Sequence, residues 1–383
     1  MLYPKAVLIA KRAVSPQTLL MKKLLLGLAL LATASGVCAQ DAPLPADDTL
    51  RVRSVKWSIF PIAYYTPETR FGFGAKPVQV RRSAGSLRSD RPSTISPSLV
   101  FTTRKQMLST FLVDFWRKHN AQHIHGWVEY NNYPYVFFGV GNDTPAEAEE
   151  NYTSKTINLY AQFEQRLARN FYLGMRYDLK REWITEVEEG GFLQSNVVLG
   201  SEGITSSGLG PVFLYDNRDN LFTPGKGVFM QMLAQSYNKL LGGSSNFMRY
   251  RIDLRKYHTV GPGVLAGQSL FTFASGEVPF QFMSPLGGVN QMRGFLEGRF
   301  RDHNAAVLQA DYRFPLFWRI SGAVFGATGQ VTRKNSDFSF NRFKNSGGGG
   351  LRYRLNDEGM VVRGDVAYSK EGMYVYFAFG EAF

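Results

Sequence analysis

The 383-residue chain has one cysteine, five histidines and only one long apolar run. Each scarcity excludes something. A single cysteine cannot build a disulfide framework. A helical membrane span needs about 20 consecutive apolar residues, and the one run, Leu24 to Val37, is shorter than that. There is no Gly-x-Ser-x-Gly elbow, no phosphate loop, no dinucleotide fingerprint, and no His set beside paired acids. The sequence therefore reads as non-enzymatic, with no catalytic residue and no cofactor expected.

What is abundant points elsewhere. Aromatic residues make up 14% of the chain, with 30 Phe, 19 Tyr and 38 Gly, while mean hydropathy stays slightly negative. A transmembrane β-barrel accounts for both. Only one face of each strand meets lipid, so apolar and polar residues alternate, and aromatics collect at the interfaces. The alternation is plain in three places. Phe171, Leu173, Met175, Tyr177 and Leu179 interleave with Tyr172, Gly174, Arg176, Asp178 and Lys180. Met248, Tyr250, Ile252 and Leu254 interleave with Arg249, Arg251, Asp253 and Arg255. Leu308, Ala310, Tyr312 and Phe314 interleave with Gln309, Asp311 and Arg313. In a soluble sandwich the apolar faces would meet each other; in a barrel they face outward and the charges line the lumen.

The expected fold is an all-β, antiparallel transmembrane barrel of about sixteen strands. They begin near Trp57, Arg70, Thr94, Gln106, Ala121, Tyr152, Asn170, Ser206, Gly227, Asn246, Gly263, Asn304, Trp318, Ser346, Gly359 and Gly372. Short connections (Arg117 to Asn120, Leu167 to Asn170, Thr259 to Pro262, Asn356 to Glu358) alternate with long ones (Asn131 to Asn151, Thr185 to Thr205, Ser236 to Ser245, Gly276 to His303). That phase fits a periplasmic N-terminus. Three connections break it: Thr66 to Thr69 and Ser369 to Glu371 are short, and Arg81 to Ser93 is long. Thr144 to Glu150 reads as a cap, a proline and helix formers.

The N-terminus reads as a delivery signal. Met21-Lys22-Lys23 precedes the apolar run, which ends in Val37-Cys38-Ala39, with residues of suitable size for signal-peptidase cleavage after Ala39. Residues 1–20 read as an upstream extension, 21–39 as the signal peptide, 40–53 as a short periplasmic leader and 54–383 as the barrel. A lipoprotein reading of Cys38 would want a small residue where Val37 stands. After cleavage no cysteine is left, which suits an oxidising compartment without structural disulfides. The net charge is +13; losing Lys5, Lys11, Arg12, Lys22 and Lys23 lowers it to +8. The bases are spread through strands and loops of an exported chain. They point to lipopolysaccharide, phospholipid head groups and a charged lumen, and not to nucleic acid.

Two motifs are more specific. One runs from Gly208-Leu209-Gly210-Pro211 through Tyr215, Asp216, Asn217, Arg218, Asp219 and Asn220 to Pro224 and Gly227, a charged periplasmic turn. Asp216 and Asp219 with Arg218 between them read as a salt-bridged turn, in preference to a metal pair. The other is Gly287-Gly288-Val289-Asn290-Gln291-Met292-Arg293-Gly294-Phe295, between the eleventh and twelfth candidate strands. Together they resemble the BamA/TamA superfamily of outer-membrane assembly barrels (the bacterial surface antigen domain), over roughly Ser54 to Phe383.

The resemblance implies that this sixth outer loop folds into the lumen and that Arg293 pairs with acids on the wall. Asp311 is the first choice of partner and Asp365 the second, since a buried guanidinium needs a carboxylate. The family commonly places an acid on the next strand; here Phe325-Gly326-Ala327-Thr328-Gly329 puts Ala327 there. Arg293 either only plugs the lumen or also handles substrate. The chain also reads as a member without the family's periplasmic domains. The implied function is insertion or translocation of unfolded outer-membrane proteins or lipids, with periplasmic or lipoprotein subunits as candidate partners. The implied mechanism is a weak seam between first and last strands, helped by Gly72, Gly74 and Gly380, with local membrane thinning. A passive diffusion channel and a cell-surface receptor or antigen are the alternatives.

The end of the chain carries an assembly signal, Phe377 and Phe379 alternating with polar or small residues and Phe383 closing the last strand. Glu381 stands where an apolar residue is more usual and is expected at the interface. His123 and His125, two apart on one strand face, could hold a metal, but two ligands are too few for a closed site. They read as a solvated lumen pair, with no metal expected.

Overall fold

The computed structural model describes residues 54–66, 70–82, 85–86, 90–355 and 359–383. The expected upstream extension, signal peptide and leader lie outside the described residues, as does the turn Asn356 to Glu358. Sixteen antiparallel strands close into one barrel. They are β1 (Ser54–Thr66), β2 (Arg70–Arg82), β3 (Ser93–Thr102), β4 (Met107–Arg117), β5 (Gln122–Phe137), β6 (Glu150–Ala168), β7 (Phe171–Val187), β8 (Gly203–Asp216), β9 (Gly227–Tyr237), β10 (Phe247–Val260), β11 (Gly263–Gly276), β14 (Asn304–Phe317), β15 (Ile320–Thr332), β16 (Lys344–Arg354), β17 (Val361–Ser369) and β18 (Gly372–Phe379). The remaining two, β12 (Ser284–Leu286) and β13 (Phe300–Asp302), form a small hairpin sheet inside the long connection between β11 and β14.

The two-residue alternation explains the wall. On β14, Val307, Gln309, Asp311 and Arg313 are buried, while Leu308, between the first two, is exposed. Leu265, Val324, Leu351 and Val366 are likewise exposed on the outside. In lipid an unpaired backbone polar group costs several kcal/mol, so the sheet must close on itself. Closure is uneven. β1 matches β2 residue for residue from Ser54 opposite Arg82 to Thr66 opposite Arg70. Across the closing seam, the register between β1 and β18 pairs only Tyr65 with Phe377 among the described residues.

Several expectations are corrected. Thr144 to Glu150 is not a helix. Only Ala146–Ala148 forms a 3-10 turn, because Pro145 is extended and Glu150 is taken up by β6 opposite Phe137. The last strand ends at Phe379, not at Phe383. Gly380, with φ of 77°, turns the chain inward. Phe383 is buried against Tyr257 and Ala266, under the Arg313 guanidinium. Glu381 is not at the interface: two lumen arginines draw it inside. Gly72 does not loosen β2 either, since the ring of its cross-strand partner Tyr64 covers it; a Cβ there would lie 2.5 Å from that ring.

Candidate functional site: the lumen loop and its arginine network

The connection from Glu277 to His303 is packed inside the barrel. Gly287, Gly288 and Gly294 have φ near +100°, which side chains resist. At Gly287 a Cβ would also meet the Leu296 carbonyl oxygen at 1.9 Å. These turns let Leu286, Met292, Phe295 and Phe300 gather into one cluster against Leu270, Val307 and Val331 of the wall. Each fully buried side chain of this size contributes about 1.5–3 kcal/mol. Ala327 packs against the same cluster. At the position where the family commonly has an acid, a small apolar side chain supports the loop.

Arg293 is almost fully buried. Its Nη2 donates to Asp311 Oδ1 at 2.7 Å and its Nη1 to Asp365 Oδ2 at 2.8 Å. One guanidinium thus spans two strands, β14 and β17, while its plane stands 3.5 Å over the Phe325 ring of β15. The network extends further. Asp365 also accepts from Arg352 (2.7 Å) on β16 and from Arg363 (2.7 Å) on its own strand. Glu381 lies 3.3 Å from Arg352 and 3.5 Å from Arg313. Four arginines therefore share three carboxylates, so every acid is needed by more than one cation. Backbone contacts finish the lock. Gly294 N donates to Tyr376 Oη at 3.1 Å, Ser369 Oγ donates to Gly294 O, and Gln309 Oε1 accepts from Met292 N at 3.1 Å. Arg363 Nη2 holds the Val289 carbonyl at 2.8 Å.

The glycine run of β16 makes room for this. A Cβ on Gly350 would lie 2.2 Å from Asp365 Oδ1, and one on Gly348 2.7 Å from the Phe325 ring. Nearer the rim, Arg299 donates to both Glu371 oxygens (2.8 and 3.2 Å) and to Thr144. Asp143 accepts from Arg342 and Lys344, and the Arg342 contact first, then Lys344, holds its carboxyl below the usual carboxylate range.

At the opposite end, Asp216 accepts from Arg218 Nε (2.9 Å) and Nη2 (3.0 Å), and Asp219 Oδ1 accepts from the Gly225 (2.9 Å) and Lys226 (3.2 Å) amides. Asn217 Nδ2 donates to Tyr215 Oη at 2.8 Å. Gly227, three residues past Pro224, sits against Arg218 Cα with φ of 115°. Arg91 Nη2 also reaches Asp216 Oδ2 at 3.5 Å, and Thr259 Oγ1 donates to Gly225 O at 3.2 Å, which tie the turn to its neighbours. Phe377 and Phe379 face outward, and Phe383 faces the lumen. The residues missed by reading the sequence are Phe325, Arg352, Arg363 and Glu381. Parity along β16 and β17 marks the two arginines as inward, but nothing local says they meet.

By its architecture the chain is a closed sixteen-stranded antiparallel β-barrel whose sixth outer loop, between β11 and β14, folds inward. A family model, the Omp85 superfamily domain, matches residues 91–380, and the chain belongs to that superfamily. Its fold is similar to the crystal structure of BamA from Haemophilus ducreyi lacking POTRA domains 1-3, at 12% identity and a TM-score of 0.59, over 86% of this chain and 70% of that one. It is also similar to CdiB from Acinetobacter baumannii (10% identity, TM-score 0.54, 86% and 66%) and CdiB from Escherichia coli (9%, 0.59, 88% and 63%). The chain thus spans about two thirds of the length of these structures. At such identities the likeness is one of fold. No curated protein matches the chain by sequence.

Proposed function

We propose that this barrel sits in the Gram-negative outer membrane with its short turns in the periplasm, delivered there by residues 21–39. There it assists insertion or translocation of proteins or lipids through the seam between β1 and β18. The observation that carries this reading is that among the described residues β1 and β18 share one register pair, Tyr65 opposite Phe377, where the neighbouring β17 and β18 are matched from Val362–Phe379 through Ser369–Gly372. Unpaired strand edges in lipid are costly and are templates for another strand. A client strand or lipid passing there would exchange contacts that the barrel itself lacks.

Strand length supports the same place. β18 has 8 residues and β17 has 9, against 19 in β6 and 17 in β7. At about 3.3 Å per residue, β18 spans about 26 Å before tilt. A hydrocarbon core of about 30 Å must thin beside it. The packed sixth loop argues against a wide passive channel. Lipopolysaccharide and phospholipid are the surroundings, and unfolded barrel proteins or lipids the clients. Any periplasmic or lipoprotein subunit would dock at the short-turn end.

The test is a cross-link. The Tyr65→Cys/Phe377→Cys double variant, in phospholipid vesicles, is presented with a urea-unfolded porin whose folding is followed by gel mobility. Reduced barrel should speed folding and oxidised barrel should not, with recovery on adding dithiothreitol. Equal rates in both states would sink the seam mechanism. Large single-channel conductance unchanged by Arg293→Ala would favour a diffusion channel.

A further inference from the structure

A second cluster of functional groups lies away from the loop, on β4 to β6 near the short-turn end. The register places His123 opposite Glu164 and His125 opposite Gln162. Donor atoms of His123, His125 and Glu164 all fall within 4.8 Å of one another. His123 Nδ1 is 2.6 Å and His125 Nε2 is 3.9 Å from the same carboxylate oxygen, Glu164 Oε2. Glu164 is fully buried and His123 nearly so.

The surrounding groups decide how these donors are oriented. Each ligand candidate has its other polar atom held by a neighbour. His125 Nδ1 meets Tyr160 Oη at 2.9 Å, so with that nitrogen protonated Nε2 keeps its lone pair. Gln162 Nε2 donates to Glu164 Oε1 at 2.7 Å, which leaves Oε2 turned toward the histidines. His123 Nε2 faces Asp114 Oδ1 at 3.3 Å. A carboxylate behind one histidine, a hydroxyl behind the other and an amide behind the glutamate form the outer shell that orients metal ligands in proteins. Ring stacking holds the planes: Trp116 lies 3.7 Å over His123, and His123 lies 4.5 Å over His125.

The simpler arrangement, a His–Glu hydrogen bond, accounts for the His123 contact alone. It does not account for a second histidine aimed at the same oxygen. We propose that His123, His125 and Glu164 form a divalent transition-metal site, suited to Zn2+, with a fourth position open to the lumen. Two imidazoles and one carboxylate are a zinc-type donor set, and three protein ligands leave room for water or a client group. Metal entry would widen the short His123–Glu164 contact and tie β5 to β6 at this end.

The test uses the mature barrel, carrying no polyhistidine tag, folded in detergent micelles. Zinc binding is measured by calorimetry, and Cu2+ is used as a quencher of Trp116 fluorescence. The expected result is one zinc per barrel, with quenching at the same stoichiometry. His125→Ala should weaken zinc affinity about 100-fold or more. Tyr160→Phe, which leaves all three ligands in place, should weaken it about 10–100-fold. Because the first measurement needs only the unmodified barrel, misfolding of a variant does not decide the outcome. Absence of stoichiometric zinc binding to the folded wild-type barrel overturns the proposal. So does equal affinity in a folded His123→Ala/His125→Ala barrel, which would place the metal elsewhere.

Discussion

The wall from β14 to β17 and the wall from β1 to β4 share one strand pattern but treat their inner faces differently. The first presents Asp311, Arg313, Phe325, Arg352, Arg363 and Asp365 to the loop and buries them all. In the second, among the described residues of the four strands themselves, only Gly72, Ser96 and Val100 are buried, and residues 55–59 of β1 are exposed on both faces. One side of the barrel is thus clamped to its own plug, while the other is held by strand pairing and contacts within the wall, such as Trp116 on His123. The seam falls where these two regimes meet. A barrel that must open at one place without unfolding needs this kind of asymmetry, because loop contacts on both sides of a seam would have to break together.

The largest effect should come from removing the shared acid. Asp365→Ala takes a carboxylate from three arginines and leaves Arg363 without its acid, and breaking a buried pair of this kind costs about 3–5 kcal/mol. Urea unfolding in micelles, followed by tryptophan fluorescence, would show it. On the facing wall Ser98→Ala should stay within about 0.5 kcal/mol; comparable losses in the two variants would erase the contrast. Next comes Gly350→Ala, whose methyl would displace the Asp365 carboxylate. Overpacking of this kind costs about 1–3 kcal/mol, and the same unfolding measurement applies. It should also raise bilayer conductance if the loop loosens, as should Arg293→Ala.

The smallest effect concerns the rim. The Asp143 carboxyl is held below its ordinary value of 3.8 by Arg342 and then Lys344. A depressed value means the clasp stabilises the folded rim fully above pH 3.8 and is lost as pH falls through the lower folded value. Amide protection factors in residues 333–343, corrected for the intrinsic pH dependence of exchange, should therefore be unchanged between pH 7 and 5 and fall only below pH 3.8. Asp143→Asn should give the faster exchange at neutral pH.

The strands could be read from the sequence because period two is a local signal, repeated in charged and apolar residues such as Met248 to Arg255. The inward orientation of Asp311 and Asp365 follows from the same parity. What parity omits is register, which depends on turns and on the whole barrel. That is why Glu164 could not be placed opposite His123, nor Phe325 under Arg293. Ala327 was misleading for a related reason. The strand of Ala327 lacks the family's acid, and β14 and β17 bring Asp311 and Asp365 to the guanidinium instead. Glu381 and Phe383 were read as strand positions because the alternation continues to Phe379, and the turn at Gly380 carries no strong mark.

Arg293 stands earlier in the chain than either of its acids. When β1 to β11 and the loop have formed, its charge has no partner; Asp311 arrives with β14 and Asp365 only with β17. The Tyr376 hydroxyl that holds Gly294 comes last of all. The plug therefore cannot be seated early and wrapped afterwards. Its lock needs β14, β17 and β18 together, so the plug is fully held only in a barrel whose last strands are in place.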